Sequence, residues 1–172
     1  MAKLTANNNV ELRFFDSDGK MKYVLIESFL SKIKRRLFGT SPTGDTKHSV
    51  RLENLITNAG FAGAAYRLSD NTPDPFNYIA IGTGTTAAVV ADTALETEAY
   101  RGLATVTRIT TDVANDTAKL VATLTLTAAG TITEAGVFND ASAGTMLARQ
   151  VFSGLVLESG DQVQVIWTFD FD

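Results

Sequence analysis

The clearest opening for chemistry is the run from 77 to 90, NYIAIGTGTTAAVV. There an apolar stretch enters Gly82 and Gly84 in the spacing G-x-G-x-x-A, and the acidic cluster ADTALETE follows. Glycines so spaced after a strand let backbone amides close on a pyrophosphate, with a later carboxylate on the ribose, and Glu96 or Glu98 falls in the region that role requires. No lysine follows the glycines, so the P-loop pattern is not written here. A dinucleotide site also needs a helix after the turn and a second parallel strand. Residues 85–102 have the composition for a helix, but the chain beyond them reads as successive hairpins, which leaves no second βαβ unit to complete the site. The structural alternative takes Gly82 and Gly84 as points where a strand leaves a sheet.

Other reactive groups are sparse. The 172 residues contain no cysteine, which removes thiolate catalysis, disulfides and cysteine-based zinc sites together. The single histidine, His48, has no partnered nucleophile or second ligand. Asp16 and Asp18 in DSDG suggest calcium, yet the third ligand and the closing glutamate of an EF-hand are missing. Glu134 in TITEAGVF and Arg149 in MLARQVF flank a turn at NDASAG, so a cross-strand structural pair is expected, rather than a catalytic acid. Lys32, Lys34, Arg35 and Arg36 lie on one face of a short amphipathic helix in SFLSKIKRRLFG, which makes them candidates for contact with a partner. These readings imply no catalytic, metal or cofactor residue.

The elements that must position these residues follow from periodicity and punctuation. With 45% hydrophobic and 20% charged residues, the composition is that of a folded chain. No apolar run reaches the roughly 20 residues of a membrane helix, and the first fifteen residues lack the apolar core of a secretory signal. A soluble protein made in the cytoplasm is therefore expected. VELRFFDSDGKMKYVLI reads as a hairpin turning at DSDG. With the basic helix and the linker GTSPTGDTKH it forms an N-terminal hairpin-plus-helix appendage over residues 1–48, ahead of a body over 49–172. Charge separates them as well. Ten of the fifteen basic and five of the nineteen acidic residues lie at or before Arg51, which gives +5 there and −9 in the rest.

In the body, apolar spacing predicts one helix over residues 52–67, and Pro73 and Pro75 end it. About six strands follow, separated by turns too short for crossover helices. The fold class is therefore mainly β, an antiparallel β-sandwich preceded by one helix. The last strand is the plainest: Val163, Val165, Trp167, Phe169 and Phe171 alternate with Gln162, Gln164, Ile166, Thr168 and Asp170, so one face is core.

Four segments, LITNAGFAGAAYRL, FNYIAIGTGTTAAVVADTALETE, GTITEAGVFNDASAGTMLARQVFS and DQVQVIWTFDF, together resemble a group of small virion proteins of tailed bacteriophages, described as tail-fibre-like or neck-associated. The resemblance covers residues 52–172 and leaves out the basic head. It implies a non-enzymatic β-sandwich located in the virion and made in the host bacterial cytoplasm. It further implies many copies that contact one another and other virion proteins at the tail, neck or fibre base, with no membrane, nucleic-acid or cofactor partner. Two alternatives stay open. One is a capsid decoration protein. The other is a host-surface carbohydrate-binding module, which would need exposed aromatic residues in loops, with Phe76, Tyr78 and Tyr100 as candidates.

Overall fold

The computed structural model describes residues 6–21, 50–53, 55–70 and 74–171. Ten strands and one helix follow one another: β1 (Ala6–Phe15), β2 (Val50–Glu53), β3 (Leu55–Ile56), α1 (Asn58–Ser69), β4 (Tyr78–Gly82), β5 (Glu98–Leu103), β6 (Thr105–Ile109), β7 (Thr117–Thr125), β8 (Gly130–Phe138), β9 (Met146–Leu157) and β10 (Gln162–Phe171). They form two five-stranded sheets, in the orders β2-β1-β10-β7-β6 and β3-β9-β8-β4-β5, and every pairing is antiparallel. The fold is an antiparallel β-sandwich.

Seven strands follow the helix where about six were expected, and the reason is geometric. RGLATVTRITT reads as one strand, but the chain passes from the second sheet to the first at Ala104, whose amide donates to Asn77 O at 2.7 Å. β5 and β6 are thus successive halves of one extended run that closes one side of the sandwich. β2 and β3 hold the corresponding edges on the other side, each being the outermost strand of its sheet. Sheet-switching strands of this kind form the corners of packed sheets.

β1 also departs from the expected organisation. It is not set apart with an appendage: it lies between β2 and β10, with a ten-residue register against β10 running from Ala6↔Phe171 to Phe15↔Gln162. Val10, Leu12 and Phe14 are fully buried in the core. The DSDG turn does form, because Asp16 Oδ1 accepts the amides of Asp18 and Lys20 at 3.0 and 2.8 Å, and Gly19 takes φ 77°. The Asp16 carboxylate therefore closes its own turn. The basic helix with Lys32, Lys34, Arg35 and Arg36, the linker and His48 lie outside the described residues.

The helix starts later than periodicity suggests. Residues 50–53 and 55–56 are β2 and β3, and Thr57 supplies the missing start signal: its side-chain oxygen accepts the Gly60 amide at 2.9 Å while its hydroxyl donates to Met146 O at 2.7 Å. One buried hydroxyl thus caps α1 and fastens it to β9.

The core lies between the sheets. β10 contributes Val163, Val165, Trp167 and Phe169, while Phe171, at the strand end, is about half exposed. Leu120, Ala122 and Leu124 of β7 join them, facing Ile79 and Ile81 of β4, Ile132 and Val137 of β8, and Leu155 and Leu157 of β9. Burying such a set at about 25 cal/mol per Å² is the main stabilisation of the fold. The second sheet is also covered on its outer face. There Ala80, Phe138 and Met146 pack with Leu95, which arrives from the connection between β4 and β5. Arg101 lies across Phe138, 3.7 Å from the ring centre, on the same face. Coverage on both sides explains why GTITEAGVF shows no clean alternation and why β8 is buried from Ile132 to Phe138.

Candidate functional site

The glycine run and the Glu134–Arg149 pair prove to be one site. β4 ends at Gly82, and residues 83–97 then cross the outer face of the second sheet before β5 begins. A bulge in β8 between Ile132 and Glu134 shifts its facing. Glu134 and Arg149 then sit diagonally across the β8–β9 pair, since Gly136 is opposite Arg149 and Glu134 opposite Val151.

The Glu134 side chain is wholly buried beneath the loop. Its Oε1 accepts the Gly84 amide at 2.9 Å and the Thr97 amide at 2.8 Å; its Oε2 accepts the Glu96 amide at 3.1 Å and Arg149 Nε at 3.0 Å. Nη2 of the arginine lies 2.9 Å from the same oxygen, an ion-pair contact off the N–H axis. Four donors on one carboxylate satisfy a charge that would otherwise be costly to bury. Thr133 Oγ1 adds a bond to Gly84 O at 2.7 Å, so Gly84 is held at both its amide and its carbonyl.

The glycines are required by closeness. A Cβ at Gly84 would stand 2.5 Å from Glu134 Oε1 and 2.5 Å from Glu96 Cβ, and one at Gly82 would stand 2.3 Å from Thr97 O. Neither residue has room for a side chain. The spacing that suggested a phosphate cradle thus does present a backbone amide to an anion, and that anion is the chain's own Glu134.

Arg149 extends the site along the loop. Its Nη1 donates to Asp92 Oδ2 at 2.8 Å, and Glu96 Oε2 lies 3.8 Å from Nη2. The guanidinium side chain is only 3% exposed. Burial works to lower its pKa and is the largest single influence, but the hydrogen bonds it donates to Asp92 and Glu134, with the attraction of both carboxylates, outweigh it and leave the value raised. The same Asp92 oxygen accepts the Val89 amide at 2.9 Å. Glu96 binds the amide and hydroxyl of Thr86 at 2.8 and 2.9 Å, and the Thr86 amide is the leading reason its pKa falls below the ordinary carboxylate value. At the far side Asn58 N donates to Val90 O at 2.8 Å, so α1 and the loop meet.

Glu134 and Arg149 are therefore brought together as the sequence suggested; Glu96, a candidate there for holding a ribose, joins them by binding Thr86 within the loop, and Asp92, Thr97 and Thr133 join unannounced. Glu98 instead pairs with Arg101, whose Nη2 is 2.6 Å from Glu98 Oε2. Tyr100 also serves the fold, since its hydroxyl oxygen accepts the amides of Thr127 and Ala128 at 3.1 and 3.3 Å. Tyr78 packs against the small outer cluster. Phe76 lies beside an open groove. Among the described residues, no group of three or more acidic or histidine side chains is placed to hold a metal ion.

The fold and this site define an antiparallel β-sandwich whose buried carboxylate–guanidinium pair pins a long surface loop. Comparison with protein-family models, curated proteins and solved structures finds no match to this chain.

Proposed function

We propose that this chain is a non-enzymatic structural protein of a tailed-phage virion, present in many copies and acting through protein–protein contacts at the tail, neck or fibre base. The observation that carries the non-enzymatic part is the closed state of its most chemically equipped site. Glu134 is fully buried, with both oxygens engaged by the loop amides and Arg149. The site fixes a surface and leaves the Glu134 carboxylate closed to a substrate. What it fixes, together with α1, is an apolar exterior: Phe61 and Leu68 are 59% and 89% exposed, and Val89 and Val90 stand about half exposed where the loop meets the helix. Exposed apolar side chains on such an exterior are available for contact with a partner. The virion assignment is supported by the resemblance of the four segments over 52–172.

The test is a label on this protein, localised by electron microscopy on intact particles. The expected position is fixed and axial, with the repeated copies confined to the tail, neck or fibre base. Hundreds of copies spread over the shell would replace it with the capsid-decoration reading, and absence from purified particles would overturn both.

A further inference from the structure

Where α1 passes the turn between β8 and β9, a groove of about 410 Å³ remains open. We propose that this groove is a saccharide-binding site, a role independent of the assembly reading. Its volume is in the range of small-ligand sites. Two aromatic rings line it. Phe76 is half-buried and closes on Gly63 of the helix, where a Cβ would stand 2.8 Å from its ring, while Tyr66 is 55% exposed and presents its ring to solvent. The polar lining comes from Asp74, Asn139 and Thr145.

The polar groups select the ligand chemistry. Asn139 Oδ1 accepts the Thr145 amide at 2.6 Å, which locks the side chain into the turn and leaves its NH2 without a hydrogen-bond partner among the described residues. The exposed Asp74 carboxylate likewise has no partner among the described residues. The groove thus offers acceptors at Asp74, donors at Asn139, and hydroxyls at Tyr66 and Thr145 that do both. An anion is opposed by Asp74, with no basic residue in the lining to offset it. A cation would meet the Asn139 donors. A neutral ligand with an apolar face for an aromatic ring and a rim of groups that both donate and accept satisfies every element, and a pyranose ring is such a ligand.

The test screens the full chain on an array of bacterial surface oligosaccharides and titrates the strongest binder by calorimetry. The variants are Tyr66→Ala, which removes an exposed ring, and Asp74→Asn, which alters an exposed loop residue. The expected result is one site per chain, weakened at least about tenfold by each variant, with melting temperatures unchanged. Should Tyr66→Ala itself destabilise the fold, Asp74→Asn decides. A silent array overturns the proposal. Binding that survives Asp74→Asn, or preference for an arginine ester over every saccharide, overturns it as well.

Discussion

Replacing Glu134 by alanine removes the acceptor for three loop amides and one of the two carboxylates hydrogen-bonded to a guanidinium that is only 3% exposed. Breaking a buried ion pair from one side costs about 3–5 kcal/mol, because the surviving charge is left in a poor environment. Asp92 still holds Nη1 at 2.8 Å, and the freed amides can reach water if the loop lifts, so the loss should fall within that range without exceeding it. For a chain of this length each kcal/mol moves the melting temperature by about 2–4 °C, so a drop of roughly 6–20 °C is expected. Thermal melts of wild type, Glu134→Ala, Arg149→Ala and the double variant form the assay. Because each single change already breaks the pair, the double variant should melt close to the worse single one. Glu134→Gln, which retains an acceptor oxygen, should fall between wild type and Glu134→Ala. A Glu134→Ala melting temperature within about 2 °C of wild type would refute the assignment of the pair as the loop's anchor, as would strict additivity of the two substitutions.

Further outcomes follow from the same geometry. Gly84→Ala should destabilise by about 1–3 kcal/mol through overpacking against Glu134 Oε1 and Glu96 Cβ, whereas Gly130→Ala, with nothing within 4 Å of the added carbon, should be close to neutral in denaturant melts. Thr57→Ala should cost about 1–2 kcal/mol by uncapping α1, and hydrogen exchange should show the helix N-terminus losing protection first. Asp116 accepts the amides of Thr111, Asp112 and Val113, and the Val113 amide is the leading reason its pKa lies well below the ordinary aspartate value. A depressed acid stabilises the fold above its unfolded pKa, near 3.9, and loses that contribution as pH falls through the lower folded value. The protection of those three amides relative to their intrinsic exchange rates should therefore hold from neutral pH downward and be lost only in stronger acid; loss of protection already above pH ~5 would contradict the assignment. If the +5 and −9 segments meet between neighbouring copies, particles should loosen between ~0.05 M and ~1 M salt, and equal stability across that range would count against such contacts.

The parts of the fold legible in the sequence were those governed by local pattern. β10 is visible because one of its faces meets only core, so Val163 to Phe169 alternate, and the Asp16 turn is visible because its signal lies within five residues. β8 was harder, since the loop buries its second face and erases the alternation, yet Glu134 stood out as a charge inside an apolar run. Its guanidinium partner could be guessed because a short turn sets the β8–β9 register. Asp92 and Glu96 could not, because their contact with Arg149 depends on how residues 83–97 fold back, which no periodicity encodes. β1 was misplaced for a similar reason: its partner β10 is the far end of the chain, and pairing over that separation leaves no local trace. The late helix start follows from Thr57, a cap whose signal was outweighed by the apolar spacing of Leu52, Leu55 and Ile56, which belong to strands.

The central claim, that the glycine turn is held by the chain's own carboxylate and so anchors a surface loop, is tested most directly by the amide resonances of Gly84, Glu96 and Thr97 in an NMR titration. With Glu134 as the resident anion, millimolar NAD, ATP or inorganic phosphate should leave all three unmoved, while Glu134→Gln shifts all three together. Saturable movement of the Gly84 amide with any of these ligands, or an unchanged spectrum in Glu134→Gln, would contradict it.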